Sequence, residues 1–259
     1  MSDSSVLDQI IEGVLEDVKG REKPISELVA KLSEAPKLRD ATAALSKAGT
    51  RLIAEVKRSS PSKGVLAEIT NPSELAIQYQ DGGADVISVL TEQRRFNGSI
   101  IDLISVRNSV SIPVLRKDFI VTEFQVYESR LIGADLILLI VAGLSQSQLT
   151  DYYQLATELG MAVLVEVHDE IEAAKAVELK AKIIGINSRN LKTLEVSSKN
   201  FEKIFPHLPS NVIKVAESGI STRAQVAEVE QMGANAILVG ETIVKSANPA
   251  SKIKELLNR

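Results

Sequence analysis

The sequence predicts an α/β fold, a (β/α)8 barrel with a helical N-terminal extension, and three observations carry the prediction. From residue 51 onward short apolar runs alternate with amphipathic helical stretches, the pattern of βα units that build a parallel sheet. Eight such runs fit into the 259 residues, the number that closes a barrel of this size. A frame G-A-[DN]-φ-I, with φ apolar, recurs at 83–87, 133–137 and 233–237, so the first two copies start 50 residues apart and the third starts 100 further on. A degenerate copy, AKIIG, stands at 181–185, near the middle of that gap. One copy per pair of βα units gives four pairs. An open doubly wound sheet is the alternative, but no G-x-G-x-x-G loop follows the first strand.

In chain order, residues 1–50 read as helices. Val6, Ile10, Val14 and Val18, with Ile11 and Leu15, form an apolar stripe at helical spacing. Pro24 opens a second segment in which Leu28, Val29 and Leu32 face one way. This extension is expected to pack against the barrel and to carry no chemistry. The predicted strands are 51–57, 85–90, 110–118, 135–141, 161–167, 182–187, 211–217 and 235–240. Asn71, Thr122, Asp169, Ser221 and Asn248 are the expected N-caps, two of them followed by Pro at the first helical position, and a last helix over 249–257 closes the set. The whole is read as a single domain over 1–259, with 1–50 as the extension and 51–259 as the barrel.

Composition narrows the function. The chain is 44% hydrophobic with a mean hydropathy of +0.07, enough for a sizeable core. Its net charge of −4 gives no reason to expect nucleic acid or a membrane surface. The absence of cysteine excludes disulfides, thiolate metal sites and a cysteine nucleophile, and two histidines make a multi-histidine metal centre unfavourable. The N-terminus lacks the basic region and apolar core of a signal peptide, and the longest apolar run, 136–142, is far too short to span a bilayer. A cytoplasmic protein is expected.

Barrel active sites lie at the C-terminal ends of the strands. Here the first strand ends with Glu55 and Lys57, the third with Arg116-Lys117-Asp118, the fifth carries Glu166, and the seventh ends in Glu217-Ser218. Residues two apart on a strand share a face, and alternate strands feed the same inward layers, so these groups converge on one mouth. A structural ion pair would account for one such end; charge on all four odd strands points to catalysis. The sixth strand adds Asn187, Ser188, Arg189 and Asn190. Ser218-Gly219 and Gly240-Glu241, after the seventh and eighth strands, suit a phosphate site built from backbone N–H groups, with the Glu241 side chain turned away from the anion. Phe96 and Phe119 either stack on a planar substrate or pack in the protein. His168 reads as a surface residue at the start of a βα loop, and His207 as loop.

The segments LIAEVKRSSPSKG (52–64), SVLTEQRRFNGS, IPVLRKDFI, LVEVH, GINSRNL, VAESGIS and ILVGE, in this order and spacing, closely resemble the indole-3-glycerol phosphate synthase family over about 50–245. The resemblance implies closure of the pyrrole ring of an anilino-deoxyribulose phosphate with loss of carbon dioxide and water. It makes Lys117 the general acid, Glu166 the acid/base group of the dehydration, and Lys57 the cation that holds the benzoate carboxylate. By the same resemblance Glu55, Asn187 and Glu217 orient sugar hydroxyls and the lysines. Ser60, Ser218, Gly219, Gly240 and Glu241 surround the phosphate, and Arg189, Phe96 and Phe119 lie near the ring pocket. No cofactor or metal is implied, the partner is a small phosphosugar-anthranilate substrate, and the protein is expected to be a monomer or weak homo-oligomer of the monofunctional form. Some relatives place an aromatic of the N-terminal helix over the substrate, but residues 1–50 contain no Phe, Tyr or Trp. An ammonium is expected to act as a general acid near neutrality only if its pKa is lowered from about 10.4, by burial or a neighbouring cation, and the mixed charges of this mouth permit tuning in either direction. Two other readings are a phosphosugar isomerase, which typically pairs a Cys with an Asp and so lacks its cysteine here, and a non-catalytic phosphometabolite-binding barrel.

Overall fold

A computed structural model of the chain describes residues 5–189 and 195–259. Eight parallel strands close into a barrel, β1 (Arg51–Val56), β2 (Val86–Leu90), β3 (Val114–Lys117), β4 (Leu136–Ile140), β5 (Ala162–Val167), β6 (Ile183–Asn187), β7 (Ile213–Glu217) and β8 (Ala236–Val239), with β1 pairing to both β2 and β8. Between them run α4 (Pro72–Asp81), α5 (Ile100–Ser109), α6 (Glu123–Leu131), α7 (Gln146–Glu158), α8 (Glu170–Glu178), α9 (Lys199–Ile204) and α10 (Arg223–Gln231), and after β8 come α11 (Glu241–Val244) and α12 (Pro249–Leu257); α1 (Val6–Lys19), α2 (Ile25–Lys31) and α3 (Ala41–Leu45) precede the barrel. Because a parallel strand is covered on both faces, both of its side-chain sets are apolar. Leu52, Ala54 and Val56 pack outward under the helices, whereas Ile53, with Val86, Leu115, Leu136, Leu164, Ile183, Ile213 and Leu238, fills the barrel.

The recurring G-A-[DN] frame has a mechanical origin. Gly83, Gly133 and Gly233 have φ of 99°, 88° and 99°, a left-handed turn that ends each helix. The Asp or Asn two residues later accepts the first N–H of the preceding odd strand: Leu52 N–H to Asp85 at 3.0 Å, Val114 N–H to Asp135 at 2.8 Å, Lys214 N–H to Asn235 at 2.9 Å. Each even strand thus ties off the odd strand before it, which is why the period is a pair of βα units. In the degenerate copy Lys180 takes the left-handed turn (φ 59°), and Lys182, whose side chain cannot accept a hydrogen bond, stands where the other copies have Asp or Asn.

Several boundaries differ from expectation. β3 begins at Val114 because Val110 ends α5 and Pro113 has no N–H to give to a ladder. β7 begins at Ile213, past the turn in which Val212 N–H bonds to Pro209. Thr222, not Ser221, caps α10 in a reciprocal box with Gln225, and the Ser221 hydroxyl donates to the Gln225 side chain. On α1 the buried face is Leu7, Ile10, Val14 and Val18, while Leu15 is exposed; on α2 Leu28 is buried and Val29 exposed. The extension runs the length of the barrel. Ala41 and Leu45 of α3 join the interior cluster of Ile53, Val86 and Leu115, and Arg39 N–H bonds Asp135 at the N-terminal end of the strands. At the other end α1 is clamped by Arg94, which follows β2 and pairs with Glu16 and Asp17.

Candidate active site

Side-chain alternation decides which strand residues reach the barrel mouth. On β1 Ile53, Glu55 and then Lys57 point inward; on β3 Leu115 and Lys117; on β5 Leu164 and Glu166; on β6 Ile183, Gly185 and Asn187; on β7 Val215 and Glu217. The expectation that all three charges of Arg116-Lys117-Asp118 share the mouth is therefore corrected. Only the Lys117 charge joins the array of the mouth; Asp118 borders the cavity, but its carboxylate is turned to fully buried Arg116 at 3.1 Å, which also pairs with Glu128 at 2.9 Å.

A cavity of about 450 Å³ opens at this end of the barrel. Around it stand Glu55, Lys57, Ser60, Phe96, Lys117, Phe119, Glu166, Asn187, Arg189, Glu217, Ser218, Gly219, Gly240 and Glu241, every residue to which the family resemblance gave a role, whereas Arg116 and Ser188 do not line it. Of the GINSRNL motif, Asn190 and Leu191 lie outside the described residues. Sequence reasoning missed the apolar part of the wall, namely Val6, Leu7 and Ile10 of α1 and Leu138 and Ile140 of β4. The extension, read as inert, thus forms part of the cavity, and its aliphatic side chains stand where no aromatic is available. Phe96 and Phe119 meet at a centroid distance of 6.1 Å and a tilt of 39°, packed on each other and lining the cavity at once.

The polar half is a tight charge array. Lys117 Nζ lies 3.4 Å from Glu166 Oε2, and Asn187 donates to Glu166 Oε1 at 3.1 Å. Lys57 is paired with Glu55 two residues before it on the same strand. The lowered pKa expected of the general acid is corrected: burial works against the Lys117 ammonium, but the charges of Glu166, Glu217 and Glu55 outweigh it and hold its pKa above the ordinary lysine range. Burial likewise opposes ionisation of Glu166, yet Lys117, His168 and Asn187 keep it well below the usual carboxylate range. Glu217 moves the other way, raised by burial and by Glu166.

Glycine makes this crowding feasible. A Cβ on Gly185 would fall 2.0 Å from Glu217 Oε1, and one on Gly240 would fall 2.6 Å from Glu55 Oε1. A glycine inside the otherwise apolar IIGIN run was the available signal for the first. His168 is a correction of a different kind. Expected at the surface, its side chain is 12% exposed and lies 3.3 Å from Glu166.

On the far side of the mouth, the residue after β1 leads into a short antiparallel hairpin, Ser59–Ser60 against Gly64–Val65. Lys63 in its turn reaches Glu241 Oε1 at 2.8 Å, which Lys245 also contacts at 2.8 Å. The Glu241 side chain is thereby engaged by two ammonium groups, while its N–H belongs to the first turn of α11, where no intrahelical acceptor exists. Ser218 and Gly219 have φ of 68° and 74°, two consecutive left-handed residues of which the first is strained.

The sequence model of the indole-3-glycerol phosphate synthase family matches residues 7–256. The chain belongs to that family. Indole-3-glycerol phosphate synthases of Mycolicibacterium smegmatis and Mycobacterium sp. (strain KMS) are 54% and 53% identical over 259 residues, covering 99% of this chain and 95% of each relative. That of Rhodococcus jostii is 52% identical over 256 residues. Among solved structures, thiamine phosphate pyrophosphorylase from Pyrococcus furiosus superposes with a TM-score of 0.62 at 16% identity, covering 84% of this chain and 96% of that one. 3-Hexulose-6-phosphate synthase from Salmonella typhimurium gives 0.62 at 14%, covering 81% and 97%. These two share the barrel and carry no argument beyond it. The synthase family is one of carboxy-lyases of tryptophan biosynthesis, and no described helix is long and apolar enough to cross a membrane.

Proposed function

We propose that this cavity closes the pyrrole ring of 1-(2-carboxyphenylamino)-1-deoxyribulose 5-phosphate to give indole-3-glycerol phosphate, with Lys117 as general acid and Glu166 as the acid/base group of the dehydration. The observation that carries the assignment of roles is the Lys117–Glu166 pair, 3.4 Å apart in a cavity with one apolar wall and an anion-suited loop pair across the mouth. The benzoate ring fits the wall of Leu7, Ile10, Phe96, Phe119 and Ile140, with Arg189 near its edge and its carboxylate beside Lys57. The phosphate fits between Ser60 and the loops of Ser218-Gly219 and Gly240-Glu241, the latter binding through backbone N–H. Glu55, Asn187 and Glu217 orient the sugar hydroxyls and the two lysines.

The chemistry follows from these charges. The ring carbon bearing the carboxylate attacks the ketone, and Lys117 protonates the oxygen as it becomes an alkoxide. A raised ammonium pKa does not forbid this, because the alkoxide is a stronger base than an amine. Carbon dioxide then leaves with its bonding electrons returned to the ring, the hydroxyl departs as water, and one proton is taken from the carbon next to nitrogen. Glu166, ionised and hydrogen-bonded, suits that last removal. We further assign the protein to the cytoplasm as a monomer or weak homo-oligomer. The test is addition of the carboxyphenylamino-deoxyribulose phosphate and detection of indole fluorescence, which a chain without Trp does not obscure. Turnover that persists in Lys117→Ala would remove Lys117 from its role.

A further inference from the structure

The reaction consumes a proton. The substrate carboxylate leaves as neutral carbon dioxide and the ketone oxygen as water. Two protons are added to that oxygen and only one is recovered from carbon, so one must come from solvent in every turnover. Lys117 and Glu166 line the cavity, and a bound substrate stands between them and its opening. Glu166 itself is 1% exposed.

Behind Glu166 the structure holds a second path. His168 follows Glu166 by two residues and does not line the cavity. Its Nε2 stands 3.3 Å from Glu166 Oε1, near enough for an ion pair yet without the alignment of a hydrogen bond, so a small turn of the carboxylate completes the bond. Its Nδ1 lies 3.1 Å from Glu172 Oε2 on α8, and its backbone N–H donates to the same oxygen at 2.8 Å. Asp169 caps α8 through the Glu172 N–H, and Asn200 of α9 donates to the His168 carbonyl, so the imidazole is held from both sides. Side-chain exposure rises along the chain of groups from 1% at Glu166 to 12% at His168 and 16% at Glu172.

We propose that His168 is a positioning residue for Glu166 and, with Glu172, the route by which the consumed proton reaches the site from the outer side of β5. The step is a proton shift and nothing else: the imidazolium passes its Nε2 proton to Glu166, the neutral ring flips or tautomerises so that its unprotonated nitrogen meets Glu172, and Glu172 passes on a solvent proton that restores the imidazolium. Glu166 and Glu172 are the charged groups against the ring, with Lys117 and Glu217 beyond Glu166. The imidazolium that they stabilise has its pKa raised to about 10, burial opposing and the bonds to Glu166 and Glu172 prevailing.

The proposal rests on the acid/base role given to Glu166, so the experiment reads both. The kcat–pH profiles of the full chain and of His168→Asn, His168→Gln, Glu172→Gln and Glu166→Gln are compared with the substrate above, and unfolding midpoints establish which variants are folded. Loss of the imidazolium leaves Glu166 beside Glu217 with one cation fewer. Its pKa then rises, and because it acts ionised, the acid limb moves to higher pH. The expected result is a kcat about tenfold or more lower in the His168 variants with KM within about twofold, the acid limb shifted upward, and partial recovery of kcat by added imidazole. Glu172→Gln, on the helix and away from the cavity, should shift the limb part of the way. An acid limb that stays in place in the folded variants, whether or not kcat falls, overturns the proposal, as does failure of imidazole to restore any turnover. If Glu166→Gln retains turnover, the parent reading fails instead.

Discussion

Replacing Lys117 by Met keeps most of the side-chain volume and removes only the charge, which isolates what the ammonium does. Lys117 is one of three groups that hold Glu166, the others being Asn187 at 3.1 Å and His168 at 3.3 Å. Stripping one partner from a buried ion pair typically costs about 3–5 kcal/mol. Because two partners of Glu166 remain, Asn187 and His168, we expect about 1–3 kcal/mol, the range for one buried polar group left short of a bond. In a chain of this length that lowers Tm by roughly 2–4 °C per kcal/mol. Loss of the general acid should lower kcat by about 10²–10⁴, or ~2.7–5.5 kcal/mol of barrier. Turnover is read by indole fluorescence and stability by urea unfolding. The double variant Lys117→Met/Glu166→Gln supplies the control. With both charges gone, stability should return to within about 1 kcal/mol of the parent while turnover stays absent. A double variant less stable than the single one would show that Lys117 and Glu166 are not the coupled pair, and turnover within tenfold of the parent would refute the acid role.

Four further outcomes follow from the geometry. Gly185→Ala places a methyl 2.0 Å from Glu217 Oε1, so Glu217 must move; we expect a loss of about 1–3 kcal/mol in urea unfolding and a lower kcat at nearly unchanged expression. Asp135→Ala strips acceptors from Arg39 N–H, Val114 N–H and Arg107 far from the cavity, and should cost about 2–4 kcal/mol while kcat of the folded fraction stays within about twofold. Leu7→Ala and Ile10→Ala should raise KM severalfold more than they lower kcat, measured by steady-state kinetics, if α1 supplies the aliphatic face of the ring pocket. The stability of the protein should carry a pH dependence from His168. Its folded pKa of about 10 exceeds the unfolded value near 6.5, so its contribution is complete below about pH 6.5 and is lost as pH rises through 10. Urea midpoints from pH 6 to 10 should show that slope in the parent and a smaller one in His168→Gln.

How far the sequence reaches depends on the range of the interaction that fixes each feature. Strand existence and inward residues follow from local alternation, so Glu55, Lys57, Glu166, Asn187 and Glu217 could be assigned to the mouth with no knowledge of their neighbours. The same alternation, applied to β3, would have separated Lys117 from Arg116 and Asp118; grouping the three by proximity along the chain obscured it. The G-A-[DN] repeat was visible as a pattern, but its cause, an even-strand carboxylate or amide bonded to an odd-strand N–H, is a contact across about 20–35 positions. α1 was beyond reach for the same reason. The place of α1 over the cavity is set by Arg94, some 77 residues away, and no local property of an aliphatic helix announces it. His168 does follow the last residue of β5, as expected, but the side-chain contacts with Glu166 and Glu172, two residues before it and four after it, bury its ring, and backbone periodicity carries no sign of them.

Three of the carboxylates at the mouth, Glu55, Glu166 and Glu217, are inward strand residues, and chemistry of this type requires that they not behave alike. The fold separates them by partner. Glu55 spends its charge on Lys57 within one strand. Glu166 is ringed by an ammonium, an amide and an imidazole on three different flanks and is ionised. Glu217 has a buried oxygen, Oε1, without a hydrogen-bond partner, pressed against the space that Gly185 leaves open, and its pKa is raised by burial and by Glu166. Under the proposed reading, the substrate carboxylate competes with Glu55 for Lys57, and its departure as carbon dioxide hands that lysine back. The Glu55–Lys57 pair is thus restored by the decarboxylation itself, and the one quantity not restored is the proton, which is why a conduit behind Glu166 is the feature on which continued turnover would depend.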